Sequence, residues 1–175
     1  MKYAQIRTMD ISDGPGIRVS LYVQGCTHHC KGCYNSCTWA FDSDDAKDWT
    51  EETNDKIIEL MNRDYVQGLS LLGGDPICTY ERDQDILLDL VKKVKSKYPD
   101  KDIWLWTGYT FEQIYNFEDK TPTILQQKVR PLLDYIDVIV DGPYIESQRE
   151  LGQYSGSRNQ RVLDVKSCIK NNIIA

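Results

Sequence analysis

A chain of 175 residues with 41% hydrophobic and 27% charged residues can bury about two thirds of its unfolded surface without a staple. It is too apolar to remain disordered. Its 21 Lys and Arg against 27 Asp and Glu leave a net charge of −6, which argues against nucleic-acid or anionic-membrane partners held by bulk charge. Residues 1–7 lack the apolar stretch of a secretory signal. No apolar run approaches the roughly 20 residues that span a bilayer. The expected compartment is the cytoplasm, and residues 1–175 read as one domain.

Residues 18–24, rich in β-branched and aromatic side chains, predict a strand ended by Gly25. The acidic stretch 42–48 reads as an exposed loop. Ile57, Ile58 and Met61 repeat at helical spacing over 50–61, with Thr50 as N-cap. Residues 69–72 predict a short strand stopped by Gly73-Gly74. In 81–98, Ile86, Leu87, Leu90, Val91 and Val94 form one apolar stripe, and Pro99 marks the end of that helix. Strands follow at 103–107 and 136–140, with short helices at 111–115 and 123–133. The last thirty residues, with Gly152, Ser155, Gly156 and Ser157, read as irregular. Strands separated by helices predict an α/β fold with a mainly parallel sheet. Each predicted strand ends in a glycine-bearing loop, so one sheet edge collects the polar residues. That is the edge where such folds bind ligands.

Six cysteines without a secretory signal point to metal or redox chemistry rather than disulfides. Cys26, Cys30, Cys33 and Cys37 fall within twelve residues, whereas Cys78 and Cys168 stand apart and read as reduced structural thiols. Cys26, Cys30 and Cys33 are spaced C-x3-C-x2-C. A structural zinc takes four ligands, usually as two close pairs, and this spacing fits that poorly. Three thiolates suit a four-iron four-sulfur cluster with one iron left open. Gly25 and Gly32 flank the loop where backbone must approach a compact cluster. Two alternatives stay open: Cys37 as a fourth ligand closing the site, and ligation of zinc by His28 or His29.

C-x3-C-x2-C after a strand resembles the signature of the radical S-adenosylmethionine superfamily. Asp13-Gly14-Pro15-Gly16-Ile17-Arg18 resembles a segment of the activating enzymes of glycyl-radical enzymes. Gly25-Cys26-Thr27-His28, Gly32-Cys33-Tyr34-Asn35, residues 106–111 and residues 138–144 are similar to the anaerobic ribonucleotide reductase activating proteins. The resemblance runs from about Asp10 to Arg161. One departure from the wider superfamily is Gly32, where an aromatic residue that contacts adenine often precedes the third cysteine.

The resemblance implies an open partial (β/α) barrel of the radical SAM type. It implies a cluster on Cys26, Cys30 and Cys33, and S-adenosylmethionine bound by Gly73, Gly74 and Asp75 at its ammonium. Gly32, Cys33, Tyr34 and Asn35 would meet the nucleoside end. It further implies hydrogen abstraction from a glycine of the reductase catalytic subunit, with a flavodoxin-like electron donor. For Gly73-Gly74 the plainer reading is a tight turn into a helix, and for Tyr34 a ring packed on the sheet edge. Arg18, Arg158 and Arg161 read as solvated charges, and Trp104 and Trp106 as strand core. The rival functions are a pyruvate formate-lyase activase-like or 7-carboxy-7-deazaguanine synthase-like enzyme, or a non-catalytic zinc or iron–sulfur protein.

Overall fold

The computed structural model describes residues 1–117, 121–150 and 154–174. Strands β1 (Lys2–Asp10) and β2 (Ile17–Val23) form an antiparallel hairpin, and the two-residue β3 (Lys47–Asp48) pairs with the outer side of β1. The chain continues through α1 (Glu51–Met61), β4 (Val66–Gly73), α2 (Pro76–Arg82), α3 (Gln84–Lys97) and β5 (Asp102–Trp106). It ends with α4 (Phe111–Ile114), α5 (Ile124–Leu133), β6 (Val138–Asp141), β7 (Arg161–Asp164) and α6 (Val165–Asn171). The sheet order is β3-β1-β2-β4-β5-β6-β7. Its four central strands, β2, β4, β5 and β6, are parallel, and the outer strands are antiparallel. The fold is thus a mixed α/β arrangement around an open sheet.

The elements follow from local chemistry. Thr50 caps α1 by accepting from the Thr53 amide at 3.2 Å. Asp75 caps α2, with Pro76 in the first turn where its missing N–H costs nothing. The long helix expected over 81–98 is interrupted at Asp83, which ends α2 and starts α3. Two other expectations are corrected. The stretch 42–48 contributes β3, and the tail contains β7 and α6. Gly152, read as part of that tail, lies outside the described residues. Strand β1 gives little apolar alternation because most of it is exposed or half-buried, so sequence pattern did not mark it.

Alternation divides the two sheet faces. Val19, Leu21 and Val23 of β2, Leu69 and Leu71 of β4, Ile103 and Leu105 of β5 and Ile139 of β6 are buried in the main core. That core also takes in Ile57 and Met61 of α1, Leu87, Leu90, Val91 and Val94 of α3, and Val129 and Leu132 of α5. The opposite face is polar and aromatic. Its rows, read across the register, are Arg18–Gly68–Asp102, Ser20–Ser70–Trp104 and Tyr22–Leu72.

Arg18 is wholly buried on that second face, which corrects its reading as a solvated charge. Its Nε donates to Ser70 Oγ at 2.7 Å, and one terminal nitrogen donates to the Leu69 carbonyl and meets Asp102 Oδ1 at 2.6 Å. The ion pair crosses directly over Gly68, where any Cβ would strike both partners. Ser70 Oγ in turn donates to the Asp13 carbonyl at 2.5 Å, tying the β1–β2 turn to the sheet. Arg161 is also held, by Asp141 and Glu112, whereas Arg158 is the solvated charge expected, 65% exposed and 3.7 Å from an exposed Glu150. Arg18→Met removes one member of this ion pair, leaving Asp102 without its cation and Ser70 without one of its two partners. It is expected to lower stability by about 3 kcal/mol and the melting temperature by roughly 6–12 °C, as measured by urea and thermal unfolding.

Candidate iron–sulfur and ligand site

Because β2, β4, β5 and β6 run parallel, their C-terminal ends share one edge. Four loops leave it: residues 24–39 with the cysteines, 74–75, 107–110 and 142–145. The cysteine loop is pinned at its base, where the Gly25 amide donates to the Thr38 carbonyl at 2.8 Å and the Cys26 amide to the Trp39 carbonyl at 3.0 Å. Within it, the Cys33 amide donates to the Cys30 carbonyl at 3.1 Å, and His29 and Gly32 adopt positive φ of 49° and 74°. These turns let three cysteines approach one space from a single short segment.

That space is a cavity of about 140 Å³. Its walls include Cys26, Cys30, Cys33, Gly73, Gly74 and Asp75, with Asn35 also at its edge. A second cavity of about 590 Å³ adjoins it, with Cys33, Asn35, Leu72, Trp106, Tyr144 and Gln160 lining both. Tyr34, more than half exposed, lines the larger one, where its ring meets Tyr144 edge-on at 5.6 Å. Gly32 lies outside both and turns against Glu146. The Asn35 amide donates to the Cys33 sulfur at 3.4 Å. Cys37 is exposed on a short turn (Ser36–Thr38), and Cys168 is buried in α6. The donor chemistry fits an iron–sulfur cluster: three soft thiol ligands from one loop line one cavity, and Gly73 and Gly74 present backbone beside them.

Gly73 and Gly74 are required by close backbone approach. Gly73 has φ of 109°, and a Cβ there would lie 2.7 Å from the backbone of Tyr22 and Val23. A Cβ on Gly74 would collide with the Gly25 carbonyl, one residue before Cys26. The Gly74 amide donates to the Val23 carbonyl at 2.9 Å and the Asp75 amide to the Gly25 carbonyl at 2.8 Å, so the turn after β4 is seated against the cysteine loop.

The Asp75 carboxylate is 1% exposed and turned entirely to the protein. It accepts from the Ile77 and Cys78 amides at 2.8 and 3.3 Å, from Thr107 Oγ1 at 2.9 Å and from the Gly108 amide at 2.7 Å. His28 Nε2 lies 3.0 Å from it. The Asp75 carboxylate, then the Cys78 thiol, lift the His28 pKa to about 10 against the opposing effect of burial. The His28 ring packs edge-on against Tyr109 at 4.6 Å, over Gly108, where a Cβ would strike it.

Sequence reasoning missed two neighbours. Gln160 spans the loops, donating to the Gly142 carbonyl at 3.0 Å and accepting from the Gly156 amide at 2.8 Å. Cys78 sits beside Cys26, with both sulfurs and an Asp75 oxygen within 4.8 Å of one another. A usable signal existed for Cys78. It is the third helical residue after the Asp75 cap, and helical side chains tilt toward the N-terminus, here toward the strand ends.

A second polar cluster borders the larger cavity. Tyr22 OH donates to Asp13, and Arg7 lies 3.6 Å from Asp10 and 3.8 Å from Asp13. Burial, then the neighbouring Asp10 carboxyl, push Asp13 up to about 6. Burial pulls Asp10 the same way, but hydrogen bonds with Asp13 and Ser12 win and hold it well below the usual carboxylate range.

Residues 12–163 match a family described as a 4Fe-4S single cluster domain. The chain is 43% identical over 163 residues to the anaerobic ribonucleoside-triphosphate reductase-activating protein of Vibrio cholerae serotype O1, covering 91% of this chain and 96% of that protein. It belongs to the anaerobic ribonucleoside-triphosphate reductase-activating protein family. The family member from Enterobacteria phage T4 is 40% identical over 162 residues, covering 93% of each chain. That of Escherichia coli K12 is 36% identical over 165 residues, covering 93% of this chain and 97% of its own. Family membership favours iron–sulfur over zinc for the cysteine loop. Among the described residues, no helix is long and apolar enough to cross a membrane.

The Gly74→Ala variant is expected to push the Gly25–Cys26 segment out of place. It should lose most of the iron and sulfide taken up in anaerobic reconstitution while keeping wild-type far-ultraviolet circular dichroism. Unchanged iron uptake would mean the close approach of these two turns does not matter for the site.

Proposed function

We propose that this protein is a cytoplasmic radical S-adenosylmethionine activase that installs a glycyl radical on the catalytic subunit of an anaerobic ribonucleoside-triphosphate reductase. The observation that supports it is the convergence of Cys26, Cys30 and Cys33 with the Gly73-Gly74 turn around one cavity that opens into a larger one. In this reading residues 1–175 form one radical SAM domain, its sheet curling into an open partial (β/α) barrel.

Cys26, Cys30 and Cys33 would hold a four-iron four-sulfur cluster as thiolates. Such a cluster, supplied with an electron by a flavodoxin-like donor, would provide for the one-electron reductive cleavage of S-adenosylmethionine that precedes removal of a glycine Cα hydrogen. The chain's own residues bind and orient. Backbone carbonyls of Gly73 and Gly74 receive the methionine ammonium, and Asp75 acts at one remove by fixing that turn through its protein donors. Cys33, Tyr34 and Asn35 border the nucleoside end, whereas Gly32 turns away from it against Glu146. Tyr22, Trp106 and Tyr144 line the larger cavity and shield the reacting carbon from water, which suppresses quenching of a radical.

The decisive test mixes anaerobically reconstituted protein, a reductant, S-adenosylmethionine and the reductase catalytic subunit. The expected result is a doublet glycyl signal in electron paramagnetic resonance together with 5′-deoxyadenosine. Cleavage of S-adenosylmethionine without a glycyl signal on the reductase would remove the partner assignment, and no cleavage at all would remove the activity.

A second measurement addresses the ligand set. Alanine at Cys26, Cys30 or Cys33 is expected to abolish the stable cluster, whereas alanine at Cys37 or Cys168 leaves iron near the wild-type amount. Equal loss at Cys37 would redefine the ligands.

A further inference from the structure

The ladder between β6 and β7 stops at the pair Asp141–Arg161. The next residues outward on the two strands are Gly142 and Gln160, and there side chains take over from strand pairing. Gln160 Nε2 donates to the Gly142 carbonyl at 3.0 Å, Asn159 Nδ2 donates to the Pro143 carbonyl at 2.7 Å, and Ser157 Oγ accepts from the Ile145 amide at 3.2 Å. All three bonds land on the backbone of the 142–145 loop. Gln160 also closes its own side, where Oε1 accepts from the Gly156 and Ser157 amides at 2.8 and 3.2 Å. Ser157, wholly buried, donates to Asn159 Oδ1 at 2.7 Å. Trp106 Nε1 ties the start of this segment down by donating to the Tyr154 carbonyl at 2.8 Å. The loop so held carries Tyr144, whose ring meets Tyr34 and which, like Gln160, lines both cavities. Gly156 backs that ring, since a Cβ there would lie 3.3 Å from Tyr144 Cδ2.

We propose that Gln160 is a positioning residue for the nucleoside end of the ligand: its side-chain amide clasps the 142–145 loop to the Gly156-Ser157 turn and so holds Tyr144 where the two cavities meet. The inference rests on the reading above, in which the nucleoside end lies beside Tyr34. A loop fixed before the ligand arrives need not be ordered by it, so the clasp contributes to affinity without touching the ligand through Gln160 itself. The residue type follows from the geometry. One flat group must accept from two amides and donate to a carbonyl, and a primary amide does both. A carboxylate at this position would keep the acceptor but set a second oxygen against the Gly142 carbonyl. A methionine would fill much of the same space with neither function.

The experiment compares wild type, Gln160→Met and Gln160→Glu, each reconstituted anaerobically and kept oxidised so that S-adenosylmethionine is bound but not cleaved. Iron, sulfide and far-ultraviolet circular dichroism are expected to match in all three. Equilibrium dialysis should show the dissociation constants of S-adenosylmethionine and S-adenosylhomocysteine rising together in both variants, by about fivefold to tenfold, the effect of one lost hydrogen bond. The two compounds share the nucleoside and differ at the sulfur, so a nucleoside effect must appear in both. Amide hydrogen exchange without ligand should be faster over residues 142–145 in the variants and unchanged over residues 26–33. Wild-type affinities in Gln160→Met would overturn the inference, by reducing Gln160 to a space-filler, and would leave the activase reading intact. So would a loss confined to S-adenosylmethionine, or unchanged exchange over 142–145. Loss of iron or of folded structure in both variants would also overturn it, by giving Gln160 a structural role. A wild-type chain that holds its cluster yet binds neither compound would overturn the activase reading and this inference with it.

Discussion

The Asp75 carboxylate joins three of the loops that leave the sheet edge where the parallel strands end. It accepts from the first turn of α2, from Thr107 and Gly108 after β5, and stands against His28 of the cysteine loop. Parallel strands bring loops to a common edge but do not set their heights or angles. A buried anion with donors converging from separate segments does, because a buried charge is tolerated only when its partners surround it. The first turn of α2 and the 107–110 loop are tied together at this carboxylate, while backbone hydrogen bonds seat the double-glycine turn on the cysteine loop.

The glycines around it serve the same purpose from the opposite side. Asp75 pulls loops together, and Gly73, Gly74 and Gly108 permit the approach by having no Cβ to obstruct it. The site is thus held by attraction at one point and absence of bulk at three. The polar sheet face works similarly at larger scale. Arg18 and Asp102 meet across Gly68, and Ser70 passes the restraint to the Asp13 turn at the rim of the larger cavity. A buried arginine is used where a hydrophobic residue would pack but would not hold a loop.

Much of this was legible in advance. The apolar stripe of α3, the Thr50 cap and the strand–glycine punctuation gave the parallel centre, because helical and strand periodicities are local consequences of burial on one side. The cysteine spacing pointed to a cluster because ligand geometry confines three thiols to a short loop. What stayed hidden was what burial did not pattern. Strand β1 is half exposed, β3 has two residues, and β7 follows a stretch of polar turns. Arg18 reads as solvated from its residue type, since nothing local announces that Ser70 and Asp102, far along the chain, will enclose it.

Local composition and spacing determined the element types, the cysteine triplet and the turn that faces it, because each depends on residues within a few positions of one another. Only the tertiary structure decided that Asp75 is a keystone rather than a free carboxylate, that Cys78 backs Cys26, and that Gln160 spans two loops. Those outcomes depend on donors and acceptors brought together from distant segments by strand register, and a linear sequence does not display that register.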